Sequence, residues 1–314
     1  MAFRNILVPL NGSELSEKAL PYAKNIAKLK KSRLVLFAVS LTIFAERRDR
    51  LFTSYLEITA NALNAEGIKA VAATSYGDVA KEIVQYANNN KIDLIVMATH
   101  GYSKAKKWMF GSVTQKVIYG TEIPVLLIKP KPSEISGEFN RILVPVDGSA
   151  FSEATLPYVV ELTKRTDKEI LLLHVCEPPI VPSYGLKPIN PTWKKYRDDI
   201  WDEKEKMATT YLAKKSAELK KNRVKVTSRI VKAQSGDVVK TIMQVSKEEN
   251  IDLMAVATQG QTGISRRVYG SVANRIVEEA SLPVLLIRPE PSTSPYPPQN
   301  LLDDIWQSYI GSKV

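Results

Sequence analysis

Short, almost unbroken apolar runs alternate along this chain with longer segments whose apolar residues recur every three or four positions. Residues 4–10 (RNILVPL), 33–40 (RLVLFAVS), 68–77 (IKAVAATSYG), 93–101 (DLIVMATHG) and 124–130 (PVLLIKP) are of the first kind. Such runs predict strands buried on both faces. Residues 16–30, 52–67, 77–91 and 112–121 are of the second kind and predict amphipathic helices. Pro21 falls near the first turn of the first helix, where its missing N–H is tolerated. Asp78 stands where its carboxylate can cap the third. This alternation predicts an α/β fold, a parallel sheet with helices on both faces. Ligands of such sheets lie beyond the carboxyl ends of the strands, where the strand order reverses.

The pattern then repeats. Residues 6–28 (ILVPLNGSELSEKALPYAKNIAK) and 142–164 (ILVPVDGSAFSEATLPYVVELTK) are identical at 12 of 23 positions, 136 residues apart. Residues 98–130 and 257–289 begin ATHG and ATQG and end PVLLIKP and PVLLIRP, 159 residues apart. The change of offset places about 23 extra residues inside the second copy, and the proline-rich stretch Pro178–Pro191 is the expected place. The expected organisation is a first domain over 1–130, a linker over 131–140, a second domain over 141–289 and a tail over 290–314. In the tail a proline-rich segment precedes Leu301, Leu302, Ile305, Trp306 and Tyr309, which are at helical spacing.

Composition narrows the function classes. The 314 residues are 44% hydrophobic and 25% charged, the balance of a water-soluble protein with a core, and no apolar run reaches the ~20 residues of a membrane span. One cysteine excludes an intramolecular disulfide, and two histidines argue against a Cys/His zinc site. The first residues lack the pattern of a secretory leader, so a cytoplasmic location is expected. The formal charge of +11 suits an anionic ligand. It equally describes a solvated lysine-rich surface, and no basic cluster interleaved with stacking aromatics points to nucleic acid.

The segment after the fourth strand carries the chemistry. Gly101 and Gly111 have nine residues between them and Ser112 follows; Gly260, Gly270 and Ser271 repeat this spacing. Glycine lets backbone amides approach an anion closely. Ser112 and Ser271 open predicted helices, whose N-termini present unpaired N–H groups and favour phosphate. Lys104, Lys106 and Lys107 in one copy, and Arg266 and Arg267 in the other, lie between the glycines. The competing reading is structural: glycines that turn and serines that cap.

These residues resemble a tandem universal stress protein of the UspA-like, nucleotide-binding branch. That branch carries Gly-x2-Gly-x9-Gly-Ser/Thr after the fourth strand. Here the first glycine is Ala98 or Ala257, and the rest of the pattern is present in both copies. The resemblance spans about 1–130 and 140–289. It implies two tandem Rossmann-like domains of the adenine nucleotide alpha hydrolase type, each a five-stranded parallel sheet. It implies ATP, ADP or AMP as ligand, with or without Mg²⁺. The phosphates are then assigned to Ala98, Gly101, Gly111, Ser112 and Val113, and to Ala257, Gly260, Gly270, Ser271 and Val272. The first-strand motif is implied to accept hydrogen bonds from the adenosine; it is Pro145 and Asp147 in copy two, and Pro9 and Asn11 in copy one. Val39 and Val175 are implied to pack on adenine. Asparagine lacks the charge of aspartate, so the second site is expected to be the tighter.

Other residues offer less. His100 adjoins the phosphate loop, whereas His174 and Cys176 end a buried strand and read as core. Trp193 and Trp201 read as packing residues. No P-loop, Gly-x-Gly-x-x-Gly fingerprint or nucleophile elbow occurs. The expected role is a nucleotide-binding regulatory module. A slow ATPase, or an interaction scaffold with vestigial pockets, are the alternatives. Family members dimerise through the last strand, so PVLLIKP and PVLLIRP are expected to pair as a pseudo-dimer within one chain, with further homodimerisation left open.

Overall fold

A computed structural model describes residues 3–40, 46–99, 111–129, 137–179, 191–233, 236–258 and 270–289. The chain divides into two compact units. The first comprises Met1–Phe139, Asp252–Met254 and Val277–Arg288, and the second takes the rest.

In the first unit the elements run β1 (Asn5–Pro9), α1 (Glu14–Glu17), α2 (Leu20–Lys30), β2 (Arg33–Ser40), α3 (Glu46–Ala65), β3 (Ala70–Tyr76), α4 (Val79–Asn89), β4 (Leu94–Ala98), α5 (Ser112–Gly120) and β5 (Val125–Ile128). The strand order is β3-β2-β1-β4-β5, and the pairs β1–β2, β2–β3, β1–β4 and β4–β5 are all parallel. Ile6, Leu7 and Val8 are each fully buried. Successive side chains of a strand point to opposite faces, so both faces are covered. That is the reason these strands read as continuous apolar runs. Building outward from β1 through β2 to β3, and then returning past β1 to β4, reverses the strand order between β1 and β4.

Pro21 shapes the first crossover differently from the single helix predicted over 16–30. A four-residue α1 ends at Glu17, and α2 starts afresh with Pro21 in its first turn. Proline has no N–H to give the carbonyl four residues back, and its ring crowds that carbonyl. Pro157 divides α6 (Ala150–Glu153) from α7 (Leu156–Thr163) in the same way. Asp78 caps α4 as expected, its Oδ1 accepting from the Lys81 amide at 3.0 Å.

The second copy continues with β6 (Arg141–Pro145), α6, α7, β7 (Glu169–Cys176), α8 (Pro191–Lys220), β8 (Lys225–Lys232), α9 (Val238–Glu248), β9 (Leu253–Ala257) and α10 (Ser271–Glu279). The order β9-β6-β7-β8 repeats that of the first copy. The extra residues lie in more than one place. Helix α8 is ten residues longer than α3, and Pro191 opens it, a position where proline is preorganised for the helix. Residues 180–190 lie outside the described residues. Tyr55 and Tyr211 are 156 apart, whereas Asp78 and Asp237 are 159 apart, so three of the extra residues fall between them.

Trp201 of α8 is buried against Cys176 and Ala208, with Ile230 packed alongside. Its indole N–H donates to the Cys176 carbonyl at 3.2 Å. Burial pushes the Cys176 thiol up to about 11, the behaviour of an inert core cysteine. The last strand, β10 (Val284–Ile287), belongs to the first unit and pairs antiparallel with β5, Val284 opposite Leu127 and Leu286 opposite Val125.

Candidate functional site

Three adjacent strands, β2, β1 and β4, bring their carboxyl ends to one edge of the first unit. Pro9 is in register with Phe37, and the Leu10 amide continues the ladder to the Phe37 carbonyl at 2.8 Å. The chain then turns. The Asn11 side-chain oxygen accepts from the Ser13 amide at 3.1 Å and the Ser13 hydroxyl at 2.7 Å. Gly12 between them has φ +74°, which a side chain would strain. Ser13 in turn caps α1, accepting from the Ser16 amide at 3.2 Å. The turn therefore orients a polar side chain at the end of β1 and starts a helix in the same few residues.

The second unit repeats this atom for atom. Asp147 Oδ1 accepts from the Ser149 amide at 3.0 Å and its hydroxyl at 2.6 Å, Gly148 has φ +83°, and Ser149 caps α6. The family resemblance implies an acceptor for the adenosine at Asn11 and Asp147. The structure shows that one oxygen of each also holds the turn.

The start of α5 is tied to the end of β4. The Gly111 amide donates to the Thr99 carbonyl at 3.0 Å, and the Thr114 hydroxyl reaches the Ala98 and Thr99 carbonyls at 3.3 and 3.2 Å. Thr99 is fully buried. In the second unit Gly270 donates to the Thr258 carbonyl at 2.8 Å. The amides of these two glycines are thus spent on the preceding strand's carbonyls, which leaves the amides that follow them to meet an anion. Gly111 has φ −58°, so no left-handed backbone demands glycine there. What remains at this edge is the first turn of the helix. The N-cap residue Gly111 has no side chain to cap α5; α2 and α7 likewise start without a side-chain cap, whereas Ser13, Asp78, Ser149 and Asp237 each bond a first-turn amide of α1, α4, α6 and α9. Ser112 and Ser271 are exposed and Val113 is half-buried, while Val272 is 37% exposed.

Ala98, Ala257, Gly111 and Gly270 thus stand beside the first-strand turns, at the reversal of strand order. Val39 and Val175, both half-buried, lie at the end of the next strand over. Gly101, Gly260, His100 and the basic residues between the glycines lie outside the described residues.

Two relationships at this edge escaped the sequence reading. Tyr55 donates to Glu17 at 2.7 Å, and Tyr211 to Glu153 at 2.9 Å. Each pair ties the long helix to the short one after the first-strand turn, and Lys215 adds an ion pair to Glu153 at 2.9 Å. Asp78 pairs with Lys116 at 3.3 Å, and Asp237 with Arg275 at 3.0 Å. The repeat carried the signal: Asp78 and Lys116 both recur at an offset of 159, whereas Glu17 recurs at 136 and Tyr55 at 156, on either side of most of the extra residues.

His174 is buried, and its Nδ1 has no hydrogen-bond partner among the described residues. Its ring meets Tyr211 edge-on at 6.4 Å. Burial holds its pKa below the usual imidazole value.

This architecture is a tandem α/β protein of the doubly wound class. The model of the universal stress protein family matches residues 2–129 and 138–288, and the chain belongs to that family. Its first 150-residue match is with Universal stress protein YxiE of Bacillus subtilis, at 29% identity over 48% of this chain and 99% of the relative. Universal stress protein E homolog of Haemophilus influenzae is 24% identical over 92% of this chain and 98% of its own length. The crystal structure of a universal stress protein from Archaeoglobus fulgidus superposes with a TM-score of 0.70 at 23% identity, covering 92% of this chain and 99% of that one, which shows the fold.

Proposed function

We propose that each unit seats an adenine nucleotide at the carboxyl edge where its strand order reverses. The observation that carries this is the start of α5. It is pinned to β4 by the Gly111 and Thr114 bonds, and its N-cap residue, a glycine, brings no side chain of its own to the first-turn amides. The amides of Ser112 and Val113, the Ser112 hydroxyl and the helix dipole then point a positive end at the edge, which suits phosphate. Ser271 and Val272 take these places in the second unit.

The residues fit the remainder of the ligand. Val39 and Val175 offer half-buried apolar surface to a base. Asn11 and Asp147 are held beside them by the serine turns. Gly101 and Gly260 would extend the phosphate seat. Mg²⁺, when present, would neutralise charge on the phosphates. The role is that of a cytoplasmic stress-response binding module: occupancy stabilises the fold by mass action and so reports nucleotide level. Pairing of the two copies as a pseudo-dimer within one chain is part of this reading, and light scattering over a concentration series reports any further homodimer.

Calorimetry of the full chain with ATP and with AMP tests the reading. Heat of binding and a thermal shift at millimolar nucleotide are expected, and both are reduced by Ser112→Pro together with Ser271→Pro. These replacements leave the helix start permissible but remove the hydroxyl and one amide. Silence in both measurements with the wild-type chain overturns it.

A further inference from the structure

The two copies share an ion pair that the nucleotide reading leaves unused. Asp78 caps α4 and pairs with Lys116 of α5; Asp237 caps α9 and pairs with Arg275 of α10. Both partners recur at an offset of 159, the offset of the glycine loop itself. Capping alone does not require the cation. Asp78 accepts the Lys81 amide through Oδ1 and uses Oδ2 for Lys116. Asp237 accepts the Lys240 amide through Oδ1 and engages Arg275 through both oxygens, at 3.0 and 3.1 Å.

The placement of the cation matters. Lys116 and Arg275 lie four residues after Ser112 and Ser271, on the same helix face. Helical side chains lean toward the N-terminus. The aspartates begin α4 and α9, helices that follow strands, so they stand at the carboxyl edge. Pairing with an aspartate that opens a neighbouring helix, together with this lean, places each cation on the side of its residue nearer the start of α5 or α10, the turn assigned above to phosphate. In the first unit the pair borders a cavity of about 480 Å³ that runs between α4 and α5 from Asp78 and Lys116 to Asn89 and Gly120. The side chains of this pair are 63% and 52% exposed, and such exposed pairs contribute little stability, so exchanging the partner costs little.

We propose that Lys116 and Arg275 determine specificity for the number of phosphates: each leaves its aspartate for the terminal phosphate of a nucleoside triphosphate, which a monophosphate is too short to reach. This rests on the nucleotide reading above. The aspartate is then a competitor, holding the cation in the empty site and repelling an arriving phosphate. The guanidinium of Arg275, planar and doubly bonded to Asp237, makes the second unit the more selective of the two.

The test compares ATP with AMP on the full chain by calorimetry. In the K116Q/R275Q chain, ATP affinity is expected to fall about tenfold, as for loss of one charge-assisted bond, while AMP affinity stays within about twofold. In the D78N/D237N chain, ATP affinity is expected to rise about fivefold with AMP again unchanged. Asparagine caps helices as well as aspartate, so the melting temperature of that variant should hold. A purely structural tie predicts the opposite: lower stability and no change in the ATP to AMP ratio. Wild-type binding with a ratio that neither double variant moves overturns this proposal alone. Absence of nucleotide binding by the wild-type chain overturns both it and the reading beneath it.

Discussion

The carboxylate of Asp147 holds Ser149 twice, through its amide at 3.0 Å and its hydroxyl at 2.6 Å. One oxygen builds the turn after β6 and, through Ser149, the cap of α6. Asn11 does the same for Ser13 in the first unit. Asp147→Asn should therefore keep the fold, since the first copy shows that a carboxamide oxygen makes this turn. Its unfolding free energy should stay within about 0.5 kcal/mol, while nucleotide affinity of the second site falls several-fold. Asp147→Ala removes the turn bonds as well and should cost about 1–2 kcal/mol. Urea unfolding and calorimetry on the two variants separate these effects.

Tyr211 is almost fully buried and gives its hydroxyl proton to Glu153. Tyr211→Phe strands a carboxylate oxygen, and a loss of about 1–2 kcal/mol is expected by urea denaturation. Tyr55→Phe breaks the matching bond to Glu17 from a half-buried position and should cost less. Equal losses would show that the two pairs do the same structural work in spite of their different burial.

His174 sets a pH dependence. Burial lowers its pKa first, and Lys204 on α8 pushes the same way; a backbone hydrogen bond with Val146 and the charge of Asp147 oppose them. The Tyr211 ring covers its edge from α8. The unfolded chain takes up this proton near pH 6.5, and the folded chain resists it to lower pH. The stability it supports is therefore complete above about pH 6.5 and is lost as pH falls through the folded value. His174→Ala copies Ala38, the residue at the matching position of the first copy. Urea midpoints between pH 7 and 5 should fall less steeply for that variant than for the wild-type chain.

Gly137 lies between the two copies with φ +70°, and a Cβ there would overlap the backbone of Pro21. Its carbonyl accepts from Asn25 at 3.0 Å. Gly137→Ala should cost more than about 2 kcal/mol, from both left-handed strain and overlap. A urea midpoint unchanged by this substitution would mean that the segment shifts away from α2 without penalty.

Much of the fold was legible because its signals are local. Apolar runs such as ILV in β1 and VLLI in β5 are buried on both faces, and only a covered parallel sheet makes a strand read that way. Asp78 was legible as a cap for the same reason. The split at Pro21 was not, because a proline near a helix start is also compatible with one uninterrupted helix. The length of α8 was masked by the prolines before it, of which Pro191 proved to be the first helical residue. At the candidate site, spacing singled out Gly111 and Ser112 but could not give the direction of the Gly111 amide, which depends on the Thr99 carbonyl. The pairs Tyr211–Glu153 and Asp237–Arg275 join residues 58 and 38 positions apart. Only comparison of the two copies, partner by partner, exposes such long-range bonds.

The placement of β10 separates heredity from architecture. Residues 277–288 are written in the second copy, yet they complete the first unit, with β10 along β5. A gene cut between the copies would release a first half whose VLLI edge has bare amides and carbonyls, a surface prone to recruit foreign strands. The strand written last in the chain thus serves as the selvage of the unit written first.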